Sequence, residues 1–589
     1  MASKATLASL LFVTACAGAQ RFPLAAPLTS DSDRRPVNVP CETRPTEKDK
    51  KHVACAPEPY VSPLAWDGLD NSIFRPFARV WAVDPPGEAV NVNAFDEVPD
   101  SAWFENRIGA HKLTREQLLR GACTPEEVLD PAGVAPGGWL IDQGKANGAS
   151  AGFRIKVDGH RKYLLKTDVS TQPERPSGAS VIGAALYYAV GFNTSCEQVI
   201  YVDPKIFKLS PGLKVTDNSG ITKLFDHAML ARVLAGATSS GRLKRLQASA
   251  WLPGYLIGPF RYEGTRSDDP NDAIPHEDRR DLRGARLLAA WIDHFDAREQ
   301  NTMDSWIAVN SKVNDSSPGY VRHYYLDMSD SLGSEWAWDG ISRRLGSSYL
   351  LDYGDIATDF VTLGAKIQPW DTMQRTPGME DFGYFNSSYF DPEGWKNEYP
   401  NPAFSRASER DEAWMARILS RFDYDDIRAL VALGHFSRPE HSAFVSRVLE
   451  ERLQKILGRY LLRLSPLADL RVEGDVLSMT DLALRRGVRP PQAFAYRARL
   501  DVPRAAYSLR PAVGAGGVLR LSLPHRAFAP GVADNDPSRY SVVTVGNGAS
   551  SYALRAYLYD LGAGRGFRLV GIERPEKSFD ELVKSGAQP

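Results

Sequence analysis

Three polar residues near the middle of the chain have the types and spacing that phosphoryl transfer requires. His294 and Asp296 are separated by one residue, and Asn301 follows Asp296 by five positions. Transfer of a phosphoryl group from ATP needs an acidic side chain beside the acceptor hydroxyl and oxygen ligands for the metal ions that bridge the phosphates. Asp296 would orient or deprotonate the acceptor, and Asn301 would bind Mg²⁺ or Mn²⁺. The alternative is a polar helix terminus with capping side chains.

Two further charged residues lie where the same chemistry would use them. Asp327 ends a strand-like segment and would be a second metal ligand, in the place of the aspartate of a kinase Asp-Phe-Gly motif. Met328 and Ser329 replace the usual Phe and Gly, and Asp330 is either a rival ligand or a turn residue. Lys166 ends another predicted strand and would contact the phosphates. An ordinary surface lysine is the alternative.

Three other positions complete the predicted cofactor-binding set with weaker signals. Gly148 and Gly152 belong to a glycine-containing stretch whose backbone N–H groups could cover phosphates, although it matches neither the kinase glycine-rich loop nor a Walker motif. The helix predicted after Lys166 contains no glutamate, so the usual lysine–glutamate pair must come from elsewhere. Glu174 is the nearest candidate partner.

Predicted strands and helices would position these residues. Residues 152–166 alternate around Asp158-Gly159, which is a strong hairpin signal, and a buried helix over 177–190 would end at Gly191. The other predicted elements are strands over 198–202, 305–309 and 321–327 and helices over 409–421, 424–433 and 440–464. The fold class is therefore α+β, in a protein-kinase-like bilobal arrangement with a C-terminal β-rich domain.

The length and composition of the chain predict how it is divided into domains. A chain of 589 residues exceeds what one hydrophobic core supports. The predicted parts are a signal peptide (1–15), a flexible tether (16–60), an N-terminal extension (61–145), a small lobe (146–255), a helical large lobe (256–465) and the β-rich domain (466–589). Because 71 Lys and Arg residues balance 72 Asp and Glu residues, no overall positive field favours nucleic-acid binding.

The first residues are typical of an exported lipoprotein. Lys4 precedes an apolar stretch, and Val13-Thr14-Ala15-Cys16 resembles a lipobox in which Cys16 would be lipidated. The sequence after Cys16 has no retention aspartate, so the outer membrane is the expected location, with the lipid as the membrane contact and an unidentified envelope acceptor as partner. An ordinary secretory signal is the alternative. Cys41 and Cys55 could close a short disulfide loop.

Several segments resemble a family of uncharacterised exported bacterial proteins, more distantly similar to HipA-like, spore-coat CotH-like and secretory-pathway kinases. The resemblance covers about residues 90–465 and rests on Asp100–Arg107, Asp268–Gly284 and His323–Asp327. It implies a fold first and an activity second. The expected function is ATP- and metal-dependent phosphoryl or nucleotidyl transfer to an envelope substrate.

Two other functions stay open from the sequence. A kinase-shaped scaffold or binding lipoprotein without catalysis would explain the missing helix glutamate and the altered Asp-Phe-Gly. A calcium-stabilised surface adhesion module would use the oxygen ligands of the acidic segment Asp268–Asp278, although a solvated acidic loop is the simpler interpretation. Arg279, Arg280 and Arg283 follow that segment, and structural salt bridges are their default role.

Overall fold

The strands of the protein form several separate sheets connected by helices, and the fold is mixed α+β. This description rests on a computed structural model, which describes residues 21–44, 52–79, 87–145, 151–216, 221–310 and 316–585. The predicted signal peptide, Cys16 and Gly148 lie outside the described residues.

Short elements come first along the chain. They are β1 (Glu42–Arg44), β2 (His52–Ala54), α1 (Leu64–Leu69), α2 (Arg75–Arg79) and α3 (Arg115–Arg120). The described part of residues 16–60 differs from the flexible tether that we expected, because it is packed on the rest of the molecule. The Asp33 carboxylate accepts hydrogen bonds from the Ala102 amide, and Val37 pairs with Gly319 through backbone hydrogen bonds.

The first large sheet contains the predicted hairpin. Its elements and their companions are β3 (Trp139–Gly144), β4 (Gly152–Val157), β5 (Arg161–Lys166), α4 (Arg175–Val190), β6 (Glu197–Val202), β7 (Phe207–Leu209), β8 (Lys214–Thr216), β9 (Thr222–Leu224), α5 (His227–Ala235), β10 (Ser239–Ser240) and β11 (Leu243–Ala250). The sheet order is β10-β11-β5-β4-β3-β7, and β6 also pairs with β11. Gly152 lies opposite Lys166, so the hairpin prediction is confirmed.

Helix α4 lies between this sheet and the helices that follow. Almost all of its residues are buried, because small side chains let both neighbours approach closely. It ends at Gly191, whose φ of 146° favours glycine, as the sequence predicted. A β-carbon at Gly183 would lie 2.6 Å from Cβ of Met328, so α4 packs tightly on the turn after Asp327.

The middle of the chain is mostly helical around a three-stranded sheet. Its elements are β12 (Tyr255–Gly258), α6 (Arg280–Ile292), β13 (Thr302–Ala308), β14 (Gly319–Tyr325), α7 (Asp339–Arg344), α8 (Tyr353–Thr362), α9 (Pro402–Ser405), α10 (Glu409–Leu419), α11 (Tyr424–Ala432) and α12 (Pro439–Tyr460). The three predicted long helices are confirmed, with slightly earlier ends. The largest hydrophobic cluster joins α4, α6, α10 and α12.

The C-terminal part is rich in β-structure, as expected. It contains β15 (Leu467–Glu473), β16 (Val476–Asp481), α13 (Leu482–Arg485), β17 (Arg497–Val502), β18 (Ala505–Leu509), β19 (Ala512–Val513), β20 (Val518–Ser522), β21 (Tyr540–Gly546), β22 (Leu554–Asp560), β23 (Phe567–Glu573) and α14 (Phe579–Lys584). Two antiparallel sheets, ordered β15-β16-β20-β19 and β18-β17-β21-β22-β23, enclose one apolar core.

Two disulfides cross-link the N-terminal half. Cys41 pairs with Cys55, as the sequence suggested, and Cys123 pairs with Cys196 at the start of β6. The described residues include no helix that is both long enough and apolar enough to span a membrane.

The acidic segment before α6 is partly buried. The Asp272 carboxylate is buried and lies 2.8 Å from Nε2 of His276, and Asp269 is buried as well. Arg280 and Arg283 are buried and share the Asp411 carboxylate. The structural role predicted for these arginines is therefore confirmed, and the acidic segment is a loop that is only partly solvated.

Candidate functional site

One hairpin carries both predicted metal ligands. Strands β13 and β14 pair antiparallel with Thr302 opposite Tyr325, so the residue before β13 and the residues after β14 meet at the same end. The Leu326 amide donates to the Asn301 carbonyl at 2.8 Å. Asn301 and Asp327 therefore lie side by side, although they are 26 positions apart in the sequence.

Asp296 lies in the loop between α6 and this hairpin. Helix α6 ends when Asp293 adopts a left-handed conformation with φ of 59°, which turns the chain back toward the hairpin. The Asn301 side chain fixes the loop, since its Nδ2 donates to Oδ2 of Asp296 at 2.6 Å and to the Asp296 carbonyl at 2.9 Å. With Nδ2 turned to Asp296, the side-chain oxygen of Asn301 is the atom that a metal ion would meet.

His294 supports the same loop from inside the core. Its ring is fully buried, with Nδ1 3.0 Å from the Tyr187 hydroxyl and Nε2 3.4 Å from Oδ1 of Asp296. Burial lowers the pKa of His294 to about 4, so the ring is neutral at physiological pH. The position suits an orienting role rather than direct contact with an acceptor.

Lys166 reaches the site from the end of β5, in the first large sheet. Its Nζ lies 2.8 Å from Oδ1 of Asp327, and the lysine is buried whereas 36% of the Asp327 side chain is exposed. Burial alone would raise the pKa of Asp327, but the charge and hydrogen bond of Lys166 lower it well below its usual range. The ion pair therefore links β5 of the first large sheet to the turn after β14.

The turn after β14 is held by a buried arginine that the sequence analysis missed. Asp327 has a left-handed φ of 54°, and a short helical turn follows it. Arg175, at the first position of α4, donates through Nη1 to the carbonyls of Ser329 and Ser331 at 2.7 and 2.8 Å. Its position at a helix start, beside a proline, gave no signal for this role in the sequence.

Glu174 does not contact Lys166 among the described interactions. It has a left-handed φ of 64°, and its Oε2 accepts a hydrogen bond from the Ser437 amide at 2.8 Å. Glu197, at the start of β6, is a carboxylate whose charge does act on Lys166. Lys166 lies opposite Gln247 of β11, and Gln247 Nε2 donates to Oε2 of Glu197 at 2.9 Å.

Glu197 therefore lies on the same face of the sheet as Lys166, and it is partly buried. Ser195 and Ser249 also donate to it, each at 2.7 Å. Burial raises the pKa of Glu197, while these hydrogen bonds and the Lys166 charge act in the opposite direction. Nothing in the sequence pointed to Glu197, because Glu174 is the nearer glutamate to Lys166 along the chain.

A second lysine lies near the first. Lys145 follows β3 directly, and its amide donates to the Gly152 carbonyl at 3.1 Å. Burial and the neighbouring Lys166 charge lower the pKa of Lys145 to about 8, and the Asp327 carboxylate offsets part of this effect. Gly152 itself lies against the Leu165 carbonyl, where a β-carbon would come within 2.3 Å. The close approach of the two strands therefore explains why a glycine is needed at position 152.

The neighbouring carboxylates raise the proton affinity of Asp296. Burial raises the pKa of Asp296 well above its ordinary value, and the charges of Asp330 and Asp327 raise it further. The Arg298 guanidinium opposes these effects and also pairs with Glu398. A carboxyl group with a raised pKa is suited to accept a proton near neutral pH.

The residues at the site fit a nucleotide-bound metal ion. Among the described residues, Oδ1 of Asp296 and Nε2 of His294 are buried without a hydrogen-bond partner. No cluster of three or more His, Cys, Asp or Glu side chains in the described ranges forms a metal cage. Mg²⁺ commonly needs only one or two protein oxygens, because substrate phosphates and water complete its shell. Asp327 and Asn301 would supply them.

Comparisons with family models, curated proteins and solved structures gave no match to this chain.

Proposed function

We propose that the protein is an atypical kinase-like phosphotransferase that uses ATP with Mg²⁺ or Mn²⁺. The observation that carries this proposal is the convergence of Lys166, from the first large sheet, with three residues that flank β13 and β14. Those three residues are Asp296, Asn301 and Asp327. These are the four residue types that the chemistry requires. The order strand, strand, helix, strand in β4, β5, α4 and β6 supports a kinase-like small lobe.

In the proposed reaction, Asp296 accepts the proton of the acceptor hydroxyl. The acceptor oxygen forms a bond to the terminal phosphorus of ATP, and the bond from that phosphorus to the bridging oxygen of ADP breaks. The metal ion, when bound, neutralises charge on the phosphates. Lys166 holds the phosphates, and Asn301 keeps the Asp296 carboxylate oriented.

Glu197 would take the role of the missing helix glutamate. In the lysine–glutamate pair of kinases the carboxylate keeps the lysine directed at the phosphates. Here Gln247 and Glu197 lie beside Lys166 on one sheet face, so the lysine can be held without an acidic residue in α4. The variant Glu197→Gln should therefore weaken ATP binding with little loss of thermal stability.

Nucleotide binding is the first test. The melting temperature of the full chain should rise with ATP and Mg²⁺ or Mn²⁺, because a ligand of the native state stabilises it. The rise should disappear in Asp327→Asn and persist in Asp339→Asn, a matched control at an exposed position paired with Arg343. The absence of any metal-dependent rise at millimolar ATP would refute the proposal.

A non-catalytic scaffold is the second candidate, favoured by a specific observation. Lys166 and Asp327 already neutralise each other, and Met328-Ser329 replaces Phe-Gly after the aspartate. The variant Asp296→Asn separates the two functions. In a phosphotransferase it should bind ATP normally and lose roughly 10²–10⁴-fold in transfer rate; in a scaffold no transfer would occur in either protein.

The transferred group can be identified with labelled nucleotide. Label transferred from the γ-phosphate of ATP would indicate phosphoryl transfer, whereas label from the α-phosphate would indicate nucleotidyl transfer. We further propose that Cys16 carries a lipid that anchors the protein to the outer membrane, with an envelope molecule as acceptor. Mass spectrometry of the N-terminal peptide, with Cys16→Ser as control, tests the lipid directly.

A further inference from the structure

A large cleft lies between the middle of the molecule and the C-terminal sheets, apart from the proposed phosphotransfer residues. Its volume is about 940 Å³. The floor is the face of strands β15, β16 and β20, and the walls are residues 108–118 and the chain between α10 and α11. Nothing in the proposed function uses this cleft.

Two arginines form a row across the floor. Arg471 of β15 and Arg520 of β20 both lie directly opposite Ser478 of the central strand β16. Directly opposed residues project to the same face of a sheet. Adjacent strands are about 4.8 Å apart, so the two arginine Cα atoms are about 10 Å apart with a hydroxyl between them.

A third guanidinium completes the positive surface. Arg485 of α13 donates to Thr480 Oγ1 at 3.3 Å. Beside it, Arg421 makes two hydrogen bonds of 2.9 and 2.7 Å to the Asp469 carboxylate, which a β-bulge and a left-handed φ of 56° turn into the cleft.

The Asp469 carboxylate pairs directly with Arg421. Arg485 instead donates to Thr480 and to the Gly516 carbonyl. Burial lowers the pKa of Arg485, and the Arg421 charge lowers it further, while the more distant Asp469 charge offsets only part of the effect. Within the described ranges no carboxylate lies within ion-pair distance of Arg471 or Arg520. An excess of positive charge remains on the floor.

We propose that this cleft binds a water-soluble ligand bearing a phosphomonoester. A carboxylate carries one charge, whereas a phosphomonoester carries nearly two and offers three acceptor oxygens, which suits several converging guanidinium forks. The cleft is much larger than a phosphate group, so the ligand body would lie along the apolar side chains of Leu113, Leu118 and Val518. Carboxylates of Asp423, Asp426 and Glu473 at the same cleft disfavour nucleic acid.

Calorimetric titration of the full chain tests this site. The probes are inorganic phosphate, O-phosphoserine and glucose 6-phosphate, with serine and glucose as uncharged counterparts. The phosphate-bearing probes should bind, and their affinity should fall about tenfold or more in the double variant Arg471→Gln/Arg520→Gln. Both side chains are exposed, so the melting temperature of this variant should match that of the parent.

The control is Arg497→Gln, which removes an equally exposed arginine on the other C-terminal sheet, where it pairs with Asp580. Its phosphate affinity should be unchanged, and Asp327→Asn should also leave it unchanged. Failure of all three phosphate-bearing probes to bind, or equal binding by the double variant, would overturn the proposal. Preferential binding of a glutamate-rich peptide or of phosphatidylglycerol vesicles would overturn it in favour of a carboxylate ligand or a membrane.

Discussion

At the scale of single residues, Arg175 is the side chain on which the geometry after β14 depends. It is fully buried and donates to two carbonyls of the turn that follows Asp327. Replacement by Met would leave these carbonyls without their donor and should lower the free energy of unfolding by about 3 kcal/mol. Urea unfolding measures the loss. Arg175→Lys should recover part of the stability, and equal losses in both variants would contradict this account.

A second residue-scale prediction concerns the buried pair of His276 and Asp272. Burial alone would lower the pKa of His276, but the hydrogen bond and charge of Asp272 raise it above its ordinary value of 6.5. The protonated histidine therefore stabilises the fold below pH 6.5, and this contribution disappears as the pH rises through the raised pKa. His276→Gln should destabilise the protein more at pH 6 than at pH 9.

Thermal melts of parent and variant across this pH range measure the difference. The pH dependence is specific to the ion pair, because loss of packing alone would lower the melting temperature by a similar amount at every pH. An exposed histidine, His160, provides the control, since His160→Gln should leave the melting temperature unchanged at both pH 6 and pH 9.

The sequence predicted the site unevenly at this scale. Asp296 and Asn301 were predicted from their spacing along the chain, and Asp327 and Lys166 were predicted because each ends a strand-like segment. The structure brings these four residues together. Arg175 and Glu197 were missed, since each acts through contacts with residues more than 45 positions away, and no local pattern records such contacts.

At the scale of elements, the contact of α4 with the turn after Asp327 is predicted to be intolerant of extra volume. A β-carbon at Gly183 would lie 2.6 Å from Cβ of Met328. Gly183→Ala should therefore cost about 1–3 kcal/mol of stability and weaken ATP binding, because the turn must move away. Calorimetric melting and the nucleotide-induced shift measure the two effects.

Helix α12 contains a matched control for this substitution. Gly458 also lies within a helix, and a β-carbon there would meet no atom within 4 Å. Gly458→Ala should stabilise the protein by about 0.5–1 kcal/mol, since only the helix preference of alanine remains. If both substitutions stabilised the protein, the tight contact at Gly183 would be refuted.

The elements themselves were largely predictable. The hairpin and the long helices have apolar periods, α4 is a run of small and apolar residues, and their end signals act within a few residues. The pairing of β11 between β5 and β6 was not predictable, because strand order depends on contacts between distant segments. The packing of residues 21–44 was also missed, since its proline-rich and charged composition resembles that of an exposed tether.

At the scale of the whole molecule, the disulfide between Cys123 and Cys196 joins the N-terminal extension to the strand that carries Glu197. It closes a 73-residue separation, against 14 for Cys41 and Cys55. Loss of the longer link, as in Cys123→Ser/Cys196→Ser, should cost about 4 kcal/mol, and loss of the shorter about 3 kcal/mol. Urea unfolding of the two double variants gives the comparison, and a larger loss from the shorter link would contradict the loop-length argument.

The docking of Phe22 on the C-terminal sheet has a consequence for how the molecule would stand on a membrane. The Phe22 ring lies 4.9 Å from that of Tyr557, and its amide donates to the Tyr540 hydroxyl. Cys16 is five positions before Arg21, and an extended chain of five residue steps reaches about 18 Å. A lipid on Cys16 would therefore keep the C-terminal β-domain close to the bilayer. The protein would have a restricted orientation on the membrane, and acceptors would be limited to molecules that can reach it beside this domain or on the side away from the bilayer.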